Sequence, residues 1–440
     1  MPTLRTHALA IFKAALKAAA PAEAVRRHLK IKDGVLIAGK QRYRLSGFRH
    51  VYVIGAGKAS AAMAQAVERL LGSHIDGGLI NVKYGHVAKL RRVRLNECGH
   101  PVPDEAGVLG AREIAEIASQ AGADDLVICL ISGGGSALLP SPAPPITLAE
   151  KQAVTKLLLA SGANIHEINA VRKHISLLKG GQLARLAFPA TVLTLLLSDV
   201  IGDNLDVIGS GPTVPDTSSF ADARSILDRY GIWRRTPETV RRRIQRGVRG
   251  EIAETPKPGD SAFRRTQNLI VGGNRLAVDA AAAEARKFGY RTTVLSTFIE
   301  GEAREVAHVY AAIAKQSCAD RKHGQAPHCV IAGGETTVTL RGAGLGGRNQ
   351  ELVLSAAIDI AGLPRTIVLS AGTDGTDGPT DAAGAIADGQ ALARARALRL
   401  DARQFLANND SYRFFDALGG LIKTGPTNTN VMDITIVLCG

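Results

Sequence analysis

Three aspartates, Asp374, Asp377 and Asp381, fall within the run Ser370-Ala-Gly-Thr-Asp-Gly-Thr-Asp-Gly-Pro-Thr-Asp-Ala-Ala-Gly384. The run follows Thr366–Leu369, an apolar stretch that reads as a buried strand. Gly372, Gly375, Gly378 and Pro379 bar both helix and strand there. The acids are therefore expected on a loop leaving a strand end, where open α/β sheets bind ligands. Clustered carboxylates repel one another. They persist when solvated, or when a hard cation such as Mg2+ or nearby basic groups neutralise them. Taken alone, a solvated acidic turn explains the run as well as a metal site does. The spacing is not that of an EF-hand.

Glycine-rich loops recur at other strand ends. Gly55-Ala-Gly-Lys-Ala-Ser60 follows the strand-like Val51–Ile54 and opens a helix, so its backbone N–H groups can face an anion. Gly55, Gly57 and Ser60 would line that site, and Lys58 adds a fixed positive charge. The loop departs from a dinucleotide fingerprint. Its third glycine position is Ser60, and Asp76 precedes the second strand instead of ending it. Its glycine spacing is also too short for a P-loop. Ser132-Gly133-Gly134-Gly135-Ser136 follows the apolar Asp125–Ile131. Its glycines allow close backbone approach to a ligand, and its serines add hydroxyls.

Further candidates are charged. Arg172 and Lys179 are expected on one side of a basic helix end, in Asn169-Ala-Val-Arg-Lys-His174 and Lys179-Gly-Gly181. His174 is read as structural or solvated. Asp199 is the first acid after the apolar Leu193–Leu197, so it could hold Mg2+ or accept a proton from a substrate hydroxyl. Turn formation is the simpler reading of Asp203 and Asp216, and it is the favoured one for Asp216. In the second half, Glu335 of Gly333-Gly-Glu335, with Arg348, Asn349 and Glu351 of Gly344-Leu-Gly-Gly-Arg-Asn-Gln-Glu351, forms another anion loop. A guanidinium at Arg348 can grip phosphate or carboxylate bidentately.

The elements that must position these groups alternate. Strands and helices follow one another from Val51 to Leu197, and again from Asn268 to Leu438, which argues α/β with a largely parallel sheet. Leu4–Ala20 reads as an amphipathic helix ending at Pro21. Gly250–Arg265, with Pro256, Pro258 and Gly259, reads as a linker. The expected domains are 1–250 and 266–440. Net charge is +14, which suits nucleic acid, anionic membranes or polyanionic small molecules such as ATP. Aromatics make up only 4% and the basic residues are scattered, which disfavours nucleic-acid binding. The run Arg234–Arg249 reads as a solvated helix face. No apolar run is long enough for a bilayer span. The five cysteines form no CxxC pair and suit a reducing cytosol.

Together these motifs resemble the glycerate 2-kinase family, whose second half is a MOFRL-type domain. The resemblance rests on Gly55–Ser60, Ser132-Gly-Gly-Gly-Ser-Ala-Leu138, Asn169–His174, Leu197-Ser-Asp-Val200 with Gly209-Ser-Gly-Pro-Thr213, Gly346-Gly-Arg-Asn-Gln-Glu351, and Asp374-Gly-Thr-Asp-Gly378 with Thr380-Asp-Ala-Ala-Gly384. One departure is Asn428, where the family usually has glycine. The resemblance implies a Rossmann-like N-terminal domain with a parallel sheet and a mixed α/β C-terminal domain, with the active site in the interdomain cleft. It also implies ATP-dependent phosphorylation of D-glycerate at O2, with Mg2+, by a cytoplasmic enzyme for which a homodimer is one assembly allowed. Lys58, Arg348 and Asp199 would act on the transferring group, and Asp374, Asp377 and Asp199 would serve the metal. Relatives have also been labelled hydroxypyruvate reductases, which leaves NAD(P)H-dependent reduction as the alternative activity.

Overall fold

The structure is a computed structural model that describes residues 3–320 and 325–440. It divides into two compact units, residues 24–271 and residues 1–23 with 272–440.

Residues 24–271 are built on a six-stranded sheet. Its order is Arg94–Cys98, Gly77–Lys83, His50–Ala56, Asp125–Ile131, Thr191–Leu197, Thr266–Gly272. The first five strands pair in parallel. Asp125–Ile131 and Thr191–Leu197 are buried along their whole length. That is why they read as unbroken apolar runs and not as alternating ones. Helix Ser60–Leu71 follows the first strand in sequence, and Glu105–Gln120 packs on the sheet with Ile114 and Ala118 buried. A second core lies away from the sheet, where helices Leu148–Ala160, Ile165–His174, Phe220–Arg229 and Glu238–Val248 pack around Phe220.

The other unit carries a mixed sheet, ordered Arg291–Ile299, His328–Gly334, Asp433–Cys439, Thr366–Gly372, Gly384–Asp388, Leu421–Ile422. Only its first pair is parallel. Helices Ala303–Ala319 and Arg348–Asp359 pack against Val368, Val437 and Cys439. Strand alternation leaves Ile436 and Leu438 for the other face. Helices Leu4–Ala19 and Asn274–Lys287 pair with each other and also contact this sheet.

Several expectations are corrected. Helix Leu4–Ala19 buries Ala8, Ile11, Phe12 and Ala15 as its amphipathic pattern requires, but within the C-terminal unit and not in a 1–250 domain. It ends just before Pro21, as expected, and Pro21 opens a second helix, Pro21–His28, that was not expected from the sequence. Gly250–Arg265 is no linker. Thr255 Oγ1 donates to Asp216 at 2.9 Å, Pro256 O accepts from Asp216 N at 2.9 Å, and Arg185 pairs with Asp260 at 3.1 Å. The strand near Asn268 completes the first sheet and does not open the second. Thr336–Leu340, which reads as a strand in the sequence, forms none and contributes only one isolated bridge, at Thr337.

Candidate active site

The loops after strands His50–Ala56 and Asp125–Ile131 are interlocked. Gly57 has φ +150°, and a Cβ on it would lie 2.0 Å from Ser132 Oγ, so only glycine lets the two backbones meet. Ser132 Oγ accepts from Ala59 N–H at 3.0 Å and meets Ser60 Oγ at 3.0 Å, while Ser60 also donates to Leu130 O at 3.2 Å. Lys58 N donates to Gly133 O at 2.9 Å. Gly55, Gly57, Ser60 and Ser132 are thus committed to holding the loop. Lys58, half-buried, and the loop from Gly133 to Ser136 are what remain available to a ligand.

Basic groups gather on both sides of this loop. On one side His100 packs on Gly134, where a Cβ would meet its ring at 2.8 Å. Burial, then the charges of Lys58, Lys83 and His86, push the His100 pKa down to about 4. That imidazole is neutral near pH 7. On the other side Lys179 Nζ donates to Ser136 O at 2.8 Å, Ser136 Oγ meets Ser210 Oγ at 2.9 Å, and Ser210 donates to Asn169 Oδ1 at 2.9 Å. Arg172 lies on the same helix as Asn169, one turn further on. The helix ends at His174, so Lys179 reaches this place from the following loop and not from a shared helix face. Lys173 points elsewhere, into a pair with Asp216 at 3.2 Å and Asp206 at 3.4 Å. Asp216 is therefore a buried ion-pair partner and not only a turn former. His174 is structural, bonded to Ala170 O at 2.7 Å and Glu254 at 3.0 Å. Asp199 lies half-buried just beyond the end of strand Thr191–Leu197.

The second group of candidates lies in the C-terminal unit. Arg348 opens helix Arg348–Asp359 and makes a fork to Asp433, Nε to Oδ2 at 2.6 Å and Nη2 to Oδ1 at 2.9 Å. Its Nη1 lies 2.8 Å from Glu335. Burial would lower its pKa, but these acids outweigh burial and hold the guanidinium firmly charged. The three clustered aspartates have different tasks. Asp377 is buried and caps the helix that Arg348 opens, accepting from Asn349 N at 3.0 Å and Gln350 N at 2.8 Å. Burial raises its pKa to about 6 against the pull of those N–H groups. Asp381 is exposed and bonds Tyr412 Oη at 2.7 Å and Lys423 Nζ at 3.1 Å. Asp374 is half-buried and accepts from Thr376 through one oxygen, Oδ1. It converges with Asp433 over Gly372, where a Cβ would stand 3.3 Å from one carboxylate and 3.4 Å from the other. Glu351 is not directed at a ligand, because it binds Arg304 at 2.6 Å and Asn409 at 2.8 Å. Asn349 is likewise buried, between Asp377 and Ser370.

Mg2+ needs only one or two carboxylates when phosphate oxygens complete its shell. Asp374 fits that role. Asp377 does not, since both of its oxygens are held by the helix N-terminus. Among the described residues no group of three His, Cys, Asp or Glu side chains could hold a metal ion. Asp433, His100 and Lys151, a nearly buried lysine near Arg172, carry no sequence signal that separates them from ordinary strand, loop and helix residues, whereas Ser210 lies in the motif Gly209-Ser-Gly-Pro-Thr213 without being singled out there.

An α/β sheet whose loop-bearing edge is glycine-lined, basic and poor in unpaired acids defines a protein that handles small oxyanions. Comparisons narrow that class. The family model described as "Domain of unknown function (DUF4147)" matches residues 7–245, and the MOFRL family model matches residues 328–433. A glycerate 2-kinase of Pyrococcus horikoshii is 42% identical, over 99% of this chain and 97% of that protein. A D-glycerate 2-kinase of Thermotoga maritima is 43% identical, over 88% of this chain and 90% of its own length. The crystal structure of a glycerate kinase from Thermotoga maritima aligns with a TM-score of 0.87 at 40% identity, covering 99% of both chains. The chain belongs to the glycerate 2-kinase family. No helix among the described residues is long and apolar enough to cross a membrane.

Proposed function

We propose that the protein transfers the γ-phosphoryl group of ATP to O2 of D-glycerate, giving 2-phosphoglycerate and ADP. The observation that carries this reading is full-length similarity to relatives named glycerate 2-kinase, at 42% identity in one case. The chemistry of the residues supports it. Phosphoryl transfer demands positioning and neutralisation of negative charge more than covalent catalysis. Lys58 and Arg348 supply fixed positive charge for the transferring group or the glycerate carboxylate. Asp199, half-buried beyond the end of its strand, would accept the proton of the attacking hydroxyl or help to hold Mg2+. With Mg2+ at Asp374, the metal would neutralise charge on the nucleotide phosphates. Glu335 holds one arm of Arg348 and must yield it when an anion binds there. Five cysteines without a disulfide accord with a cytoplasmic setting.

Relatives from Agrobacterium vitis carry a provisional hydroxypyruvate reductase name. One feature speaks against NAD in this chain: strand Gly77–Lys83 ends in a lysine, where a dinucleotide fold places an acid for the ribose hydroxyl. The test is direct. Purified protein with ATP, Mg2+ and D-glycerate should form ADP and 2-phosphoglycerate, with no 3-phosphoglycerate and no NAD(P)H oxidation by hydroxypyruvate. Hydroxypyruvate-dependent NAD(P)H oxidation without ADP formation would reverse the assignment.

A further inference from the structure

Lys151 and Lys179 are two of the least exposed charged residues in the chain, at 4% and 0% of their surface. Burial comes first in lowering both lysines, and neighbouring positive charge adds to it: Arg172 acts on Lys151, and Lys151 and Arg172 act on Lys179. None of the three makes an ion pair with any described carboxylate. The nearby acids Asp206 and Asp216 are committed to Lys173, and Glu254 to His174 and Lys257. Burying unpaired cations is costly, and a fold that only needed stability would replace them with apolar side chains. A second observation points the same way. Asn169 Nδ2 is buried with no hydrogen-bond partner, although its Oδ1 accepts from Ser210. Lys179 and the orphaned amide donor of Asn169 therefore lie beside the Ser136–Ser210 hydroxyl pair, with the charges of Lys151 and Arg172 near enough to act on Lys179, a set of donors that suits an oxyanion and not a metal ion.

We propose that Lys151, Arg172 and Lys179, with the amide of Asn169, form a cage that binds one compact oxyanion group. Resting on the kinase reading, the occupant is the carboxylate of glycerate or a phosphate of the nucleotide or product. Burial and mutual repulsion bring Lys151 down to about 8 and Lys179 well below the usual lysine range, so an arriving anion also restores full charge to the cage.

The test is Lys151→Met in the full chain, with Lys151→Arg beside it. Binding of inorganic phosphate, D-glycerate and ATP is measured separately by calorimetry, and the ligand-free Tm is recorded. The cage requires that Lys151→Met weaken at least one of these ligands by about tenfold or more. Lys151→Arg should restore part of the loss, and the ligand-free Tm of Lys151→Met should equal or exceed that of wild type. Loss of glycerate alone places the carboxylate in the cage, and loss of ATP alone places a nucleotide phosphate there. Unchanged affinity for all three ligands overturns the proposal. A lowered Tm with unchanged affinities does the same, by giving Lys151 a purely structural role. If the wild type fails to phosphorylate glycerate but loses phosphate binding on Lys151→Met, the kinase reading falls and the cage stands.

Discussion

At the scale of single residues, position at a loop or helix start separates charge that acts on a ligand from charge that holds the fold. Lys58 stands beside the glycine loop without a carboxylate partner in the described structure, so Lys58→Ala should lower kcat/KM by about 10²-fold or more while leaving the thermal melt unchanged. Wild-type turnover in that variant removes Lys58 from the mechanism. Arg348 is held as a planar fork by Asp433, a geometry an ammonium cannot reproduce. Arg348→Lys should therefore lose most activity despite keeping its charge, and near-full activity would show that charge alone suffices. Asp377 calls for a different experiment. Asp377→Ala strands two buried N–H groups and should cost roughly 2 kcal/mol or more in urea unfolding. Asp377→Asn keeps a capping oxygen and removes a buried charge. Burial lifts the folded carboxyl to a pKa of about 6, above the 3.8 of an unperturbed aspartate. Stability contributed by a raised carboxyl pKa is full below the unfolded value and is lost as pH rises through the folded one. Wild type should thus gain stability relative to Asp377→Asn as pH falls from about 7 to about 4. A flat difference across that range would mean that the cap stays ionised and is fully compensated by its hydrogen bonds.

At the scale of elements, burial explains which parts of the chain could be read from sequence. Asp125–Ile131 is expected and observed over the same residues, and the apolar Leu193–Leu197 falls inside the observed strand Thr191–Leu197, because strands buried on both faces are apolar throughout. Residues 29–44 read as a polar connection, yet they form a three-stranded antiparallel sheet. The signal was present in Asp33-Gly34, a turn with φ values of +51° and +72°, but the flanking strands bury too few side chains to show a strong period. The segment Gly250–Arg265 misleads in the opposite direction. Proline and glycine report irregular backbone, and tertiary hydrogen bonds decide whether that backbone is held. Glu254 is one of its anchors. Burial alone would raise its pKa, but the hydrogen bond to His174, the Phe220 N–H and the charge of Lys257 bring it down to about 2. A depressed carboxylate contributes stability above its unfolded pKa and loses it as pH falls toward the folded value. Glu254→Gln should therefore be less stable than wild type at neutral pH, by a modest amount given the partial exposure of the pair, and the gap should close between about pH 4.5 and 2. A gap that stays constant over that interval would show that Glu254 acts through packing and not through its charge.

At the scale of the whole molecule, the candidate groups are distributed between the two units. Lys58 and the Ser132–Ser136 loop belong to residues 24–271, and Arg348, Asp374 and Asp433 belong to the unit containing residues 272–440. Lys58, the Ser132–Ser136 loop, Arg348 and Asp374 were legible in sequence because glycine loops at strand ends keep their signature even when they are far apart in the chain. Asp433 and Lys151 were not, since no local motif marks either of them and only tertiary packing gives them their partners. A kinase must bring nucleotide and acceptor together and exclude water, or it hydrolyses ATP without product. If both units serve one phosphoryl transfer, their contributions cannot be independent. Lys58→Ala combined with Arg348→Ala should then cost well short of the product of the two single losses in kcat/KM, as happens for groups that act as a unit. The metal should show the same dependence. Asp374→Asn should raise the Mg2+ concentration needed for half-maximal rate by about tenfold, while ATP binding measured without Mg2+ stays near wild type. The two readouts check each other. Multiplicative losses in the double variant, together with an unchanged Mg2+ requirement in Asp374→Asn, would mean that the C-terminal unit supports the fold and leaves the chemistry to residues 24–271.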